Sequence, residues 1–136
     1  MAKIIAIDYG LKRIGLAITD ELNIIASSLD TVLNSEIIFF LKNLLKDEYV
    51  DTFVIGKPVQ KNNNPSQIEH DILIFIKKIE KEFPLINVRR QDERFTSLIA
   101  KRTILSSGVS KSKRRNKMLV DKVSATIILQ SFLEKK

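Results

Sequence analysis

The stretch IIAIDYGLKRIGLAIT, residues 4–19, decides how this chain folds. Ile4 to Ile7 make an unbroken apolar run ending on Asp8, the pattern of a short strand buried on both faces. Tyr9-Gly10-Leu11-Lys12-Arg13 reads as a turn, and Ile14 to Thr19 read as the returning strand of a hairpin. A buried strand that ends on a carboxylate and turns back on itself sets up a sheet with an acidic edge.

Outward from there, a third strand is expected over Ile24 to Val32. Asn34 or Ser35 is placed to cap a helix running to about Lys46, with Ile37, Phe40, Leu41, Leu44 and Leu45 on its inner side. Phe53 to Gly56 form another buried strand, followed by a polar loop through Lys57-Pro58 and Asn62-Asn63-Asn64. Pro65 suits the first turn of a second helix that ends near Phe83. Ile86 to Gln91 read as a strand leading to Asp92-Glu93-Arg94, and Thr96 or Ser97 begins a helix that stops at Gly108. A basic loop, Val109 to Lys117, precedes a last helix from about Met118 to Glu134. Three consecutive strands imply an antiparallel meander, and the later alternation of strand and helix implies parallel strands. The expected fold class is therefore α/β, a mixed sheet flanked by helices, in one domain over residues 1–136.

Composition narrows the chemistry. The formal charge is +7, which favours an anionic partner. No apolar run reaches the roughly 18 residues of a membrane span, and the first residues enter a strand directly, so a cytoplasmic protein without membrane contact is expected. With no cysteine, thiolate metal sites and thiol nucleophiles are excluded. The single histidine, His70, excludes a ribonuclease that pairs two histidines as acid and base. His70 falls off the stripe made by Ile68, Ile72, Phe75, Ile76 and Ile79, so it is expected on the surface. Catalysis is left to carboxylates, lysines, hydroxyls or an oxygen-bound metal.

Three carboxylates stand out. Asp8 ends an apolar strand, where an unpaired charge is costly, although an aspartate there can also serve a turn. Asp121 shares a helical face with Ala125, Ile128 and Phe132, an otherwise apolar stripe, although it can also complement the helix dipole. Glu93 ends a strand beside Arg94, which can neutralise it. Taken together, the three can converge at the carboxyl edge of the sheet, where open sheets place their ligands. Such an all-oxygen set suits Mg²⁺ or Mn²⁺, and two ions roughly 3.5–4 Å apart can support phosphodiester hydrolysis.

The cations fit a polyanion. Lys12 and Arg13 lie in the turn after Asp8, and Lys57 ends a central strand. Lys113, Arg114 and Arg115 crowd the loop before Asp121, where they can hold flanking phosphates or form a solvated charge run. Tyr9 can stack on a base or pack in the core.

Asp8-Tyr9-Gly10 with Lys12-Arg13-Ile14-Gly15, Val54-Ile55-Gly56-Lys57-Pro58, Asp92-Glu93-Arg94-Phe95-Thr96-Ser97, and Asp121-Lys122-Val123-Ser124-Ala125 with Ile128-Leu129-Gln130 resemble the YqgF-like family. Its members are also described as Holliday-junction-resolvase-like proteins and pre-16S ribosomal RNA nucleases. The resemblance spans essentially the whole chain. It implies a ribonuclease-H-like fold and a metal-dependent nuclease acting in 5′-end processing of the small-subunit ribosomal RNA precursor. The family's acidic residues fall on Asp8, Glu93 and Asp121, choosing Glu93 over Asp92. Read from charge and position, Lys12, Arg13, Lys57, Arg94, Lys113, Arg114 and Arg115 are the expected nucleic-acid contacts. Three departures stand out: Lys57 where an apolar residue is common, Ser124 where alanine is usual, and an asparagine-rich loop after Pro58.

Other functions remain in view. A resolvase of four-way DNA junctions and a non-catalytic RNA-binding assembly factor fit the same residues, and nothing in the sequence separates RNA from DNA. An actin-like ATPase would need a second phosphate loop, and the four glycines here include no adjacent pair. The expected state is a monomer or weak homodimer, because like charge opposes self-association.

Overall fold

β1, Lys3–Asp8, takes the central place in a five-stranded sheet of order β3-β2-β1-β4-β5. The computed structural model describes residues 2–58, 67–92 and 117–134. β2 (Arg13–Thr19) and β3 (Ala26–Leu33) continue antiparallel on one side of β1, while β4 (Val50–Lys57) and β5 (Asn87–Asp92) lie parallel on the other. The helices are α1 (Ile37–Asp47), α2 (Gln67–Glu82) and α3 (Lys117–Glu134). The expected meander, parallel half and mixed sheet are all present.

Alternation along β1 builds the two cores. Ile5 and Ile7 face α1 and α2, packing with Ile14, Leu16, Phe53, Ile55, Leu41, Ile72, Phe75 and Ile79. Ile4 and Ala6 face the other way, with Ala17, Val54 and the α3 residues Ala125, Ile128 and Leu129. Ile4 to Ile7 are at most 3% exposed, because helices cover both faces of the strand.

Several local expectations need correction. β3 starts at Ala26 and not at Ile24, because the Asp20 carboxylate accepts the amides of Ile24 and Ile25 and holds them in a loop. Neither Asn34 nor Ser35 caps α1. Asn34–Glu36 form a 3-10 turn, and the helix follows without a side-chain cap. Asn34 serves the β1–β2 hairpin instead: its Nδ2 donates to the Gly10 carbonyl at 2.8 Å and its amide to that of Lys12 at 2.9 Å. β4 begins at Val50, three residues before the expected Phe53, and α3 takes in Lys117. Pro65, the expected helix over 96–108 and the basic loop through residue 116 lie outside the described residues. His70 is exposed, as its position off the α2 stripe requires.

Candidate active site at the carboxyl edge of the sheet

Strand direction sends β1, β4 and β5 to finish at the same edge. Ile7 pairs with Ile55 and Gly56 pairs with Gln91, so Asp8, Gly56 and Gln91 form one row across three strands. Side-chain alternation puts that row on the α3 side, because Ala6 and Val54, two residues earlier, both pack on α3. Asp8 also pairs with Gly15 on β2, which makes Arg13 its diagonal neighbour on the same face. Arg13 is half-buried, and its Nε has no acceptor among the described residues. Gln91 is only 9% exposed, and its Oε1 has no donor among the described residues.

α3 runs with its first turns toward this edge. Near its far end, Gln130 Oε1 accepts the Ala26 amide at 3.2 Å. Ala26 pairs with Thr19, whose hydroxyl accepts the Ile4 amide at 2.9 Å, so that end of α3 lies at the amino end of β1. Nine helical residues back from Gln130 to position 121 rise about 13 Å. The four strand residues from Ile4 to Asp8 cover about the same distance. The backbone of position 121 therefore comes level with Asp8, one turn before Ala125 on the stripe that faces the sheet.

The tight β1–β2 turn depends on Gly10. A Cβ there would stand 2.2 Å from the Arg13 carbonyl oxygen, so the hairpin closes only around a residue without a side chain. Closure of that turn presents Lys12, which is exposed, and Arg13 directly beside Asp8. Lys57 ends β4 opposite Asp92 and is exposed. Its alternation matches Phe53 and Ile55, so it belongs to the α1–α2 side, not the face that carries Asp8. Tyr9 packs against Phe75, with ring centroids 4.9 Å apart, which gives it the core role. Glu93, Arg94, Lys113, Arg114 and Arg115 lie outside the described residues. Among the described residues no three His, Cys, Asp or Glu side chains cluster as a metal site.

A clamp behind this edge was not foreseen from the sequence. Arg90 on β5 meets Glu69 on α2 through both nitrogens, at 2.7 and 2.9 Å, and also donates to the carbonyls of Ile55 and Gly56 at 3.2 and 3.0 Å. Glu69 is buried, and the forked geometry satisfies its charge while tying α2, β4 and β5 together. A signal did exist: Glu69 shares a helical face with Ile72 and Ile79, the same kind of anomaly as Asp121.

The family model described as RuvX: Holliday junction resolvase matches residues 2–135. The chain belongs to this family. A relative from Christiangramia forsetii is 49% identical over 133 residues, covering 98% of each chain. Another from Bacteroides fragilis is 48% identical over 136 residues, covering 100% of this chain and 99% of its own. Both carry the name "Putative pre-16S rRNA nuclease". Among solved structures, Thermus thermophilus RuvC in complex with a Holliday junction substrate superposes with a TM-score of 0.60 at 14% identity, covering 99% of this chain and 96% of that one. The Fowlpox virus resolvase, solved with junction DNA, gives 0.53 at 14% identity, covering 98% and 97%. At such identities these structures show the fold, which is the ribonuclease-H-like fold of the resolvases.

Proposed function

We propose that this RuvX-family chain is a divalent-metal-dependent nuclease that matures the 5′ end of pre-16S ribosomal RNA, acting in the cytoplasm as one domain and as a monomer or weak homodimer. The carrying observation is that Asp8 and the first turns of α3, which contain Asp121, share one face at one sheet edge. Glu93 completes the set in this reading. On β5, Val88 packs in the α1–α2 core and Arg90 meets Glu69 of α2, so residues of the opposite parity face α3. Asp92 therefore lies on the α1–α2 side, which removes it from the set. The relatives' names supply the ribosomal substrate.

A donor set of carboxylates with no histidine or thiol fits Mg²⁺ or Mn²⁺, and Asp8, Glu93 and Asp121 would hold it. Such an ion, when bound, activates a water and steadies the departing oxygen of a phosphodiester. The chain's own groups orient the nucleic acid. Arg13 Nε–H, buried and without an acceptor among the described residues, suits a phosphate oxygen. Lys12 stands exposed in the same turn, and Arg94, Lys113, Arg114 and Arg115 extend the cationic track, with Lys57 reaching strands that pass around the edge.

The second reading, resolution of four-way DNA junctions, is favoured by the family description and by the two structural neighbours bound to junctions. A side-by-side assay with Mg²⁺ or Mn²⁺ on precursor ribosomal RNA and on four-way junction DNA decides between them. The expected result is RNA cleavage that Asp8→Asn removes while RNA binding stays within a few-fold. Cleavage of junctions alone selects the second reading, and tight RNA binding without any cleavage overturns both.

A further inference from the structure

Gln91 presents a buried acceptor without a donor among the described residues. Its Oε1 finds no donor there although the residue is only 9% exposed. Burying an amide oxygen unpaired is costly, and one without a protein donor calls for another partner, such as an ordered water or an ion's hydration shell. The register says where that partner sits. Gln91 lies in the same row as Asp8, with Gly56 between them, all on the α3 side. Two strand spacings separate Asp8 from Gln91, roughly 10 Å between Cα atoms. The middle position is a glycine, so the row carries no side chain between its two oxygen-bearing ones.

We propose that Gln91 is a positioning residue for the divalent cation of the acidic centre, its side-chain carbonyl accepting a hydrogen bond from the cation's hydration shell. The proposal rests on the reading of Asp8 as a ligand of that cation. A Mg²⁺ ion keeps several of its waters and demands near-octahedral geometry, at about 2.1 Å to each oxygen. Adding a hydrogen bond of about 2.8 Å gives a span of about 4–5 Å from cation to acceptor, which lies within the roughly 10 Å between the two Cα atoms. A neutral amide oxygen suits this position because it orients a water without adding negative charge to a site that already holds carboxylates. The other flank of Asp8 has the opposite polarity. Arg13 Nε, a donor without an acceptor among the described residues, repels a cation and favours phosphate. The row is thus polarised, with a phosphate-facing donor on β2 and a cation-facing acceptor on β5.

The test is Mn²⁺ binding to the full chain without nucleic acid, measured by electron paramagnetic resonance and calorimetry, together with thermal unfolding in the absence of metal. Gln91→Met keeps the size of the side chain and removes the acceptor. The expected result is Mn²⁺ binding weakened about tenfold, as when groups that orient a metal's ligands are lost, with metal-free Tm equal to or above the parent. Gln91→Glu retains an acceptor oxygen and should bind Mn²⁺ at least as tightly as the parent. Unchanged Mn²⁺ affinity in Gln91→Met, or a lower metal-free Tm in that variant, overturns the proposal and makes Gln91 a packing residue. The underlying reading fails separately: a parent chain that binds no Mn²⁺, or binds it equally well as Asp8→Asn, removes Asp8 as a ligand.

Discussion

At the scale of single residues, Gly10 and Glu69 mark two different limits on what a residue type reveals. Gly10 is required by contact: its missing Cβ would meet the Arg13 carbonyl oxygen at 2.2 Å, and that oxygen is backbone, which cannot swing aside. Gly10→Ala should therefore lower stability by about 1–3 kcal/mol, read as a shifted midpoint in urea unfolding. An unchanged midpoint would mean the hairpin opens at no cost. Glu69 shows how an apolar stripe interrupted by a carboxylate can mislead. By periodicity alone it looks like Asp121, yet its charge is answered within the fold by the Arg90 guanidinium at 2.7 Å. The anomaly marks a carboxylate with a purpose and does not say which. Asp8 differs from Glu69 in position, because it ends the central strand at the edge where α3 begins.

Among the elements, the loop between β2 and β3 carries the clearest titration. The amides of Ile25 and Ile24 donate to the Asp20 carboxylate, at 3.0 and 2.7 Å, and hold its pKa below the ordinary carboxylate range. A folded-state pKa below the unfolded value means the stabilisation is present above the unfolded pKa and lost as pH falls through the folded one. Asp20→Asn should therefore flatten the acid limb of a Tm-against-pH curve below about pH 4, while lowering Tm at neutral pH. A variant whose acid limb matches the parent would show that these two bonds do not set it. The same carboxylate explains why β3 starts late: two amides that a strand would have paired are already used. Asn23, at φ 57°, completes the loop in the left-handed region that asparagine tolerates. This loop sits at the opposite end of β2 from the acidic edge, so the substitution should leave nuclease activity near the parent level. For α3 the direction of the element decides its place at the edge. Its direction, pinned by Gln130 and Ala26, decides that position 121 reaches the Asp8 edge.

For the whole molecule, charge and topology act together. A formal charge of +7 draws in any polyanion, but only cations near the acidic edge hold one productively. Neutralising Lys113, Arg114 and Arg115 together should weaken RNA binding and reduce the salt slope of log K by about 0.7–0.9 for each phosphate contact removed. An unaltered slope would mean that loop stays in solvent when RNA binds. No helix among the described residues is long and apolar enough to cross a membrane, which matches the absence of a long apolar run in the sequence. By itself the sequence determined the antiparallel-then-parallel order of strands, the inward stripes of α1 and α2, the exposed His70, the family and three candidate carboxylates. Each of these is written in neighbouring residues, through periodicity of two or 3.6 and through motif spacing. The tertiary structure alone decided which residues share a row and a face. It put Lys57 on the far side from Asp8, packed Tyr9 on Phe75, and closed the Arg90–Glu69 clamp across 21 residues of chain. It also brought Arg13, already a candidate contact in the sequence, and Gln91, inconspicuous there, to the two flanks of Asp8. Register and helix direction are set by long-range packing, and no local pattern encodes them.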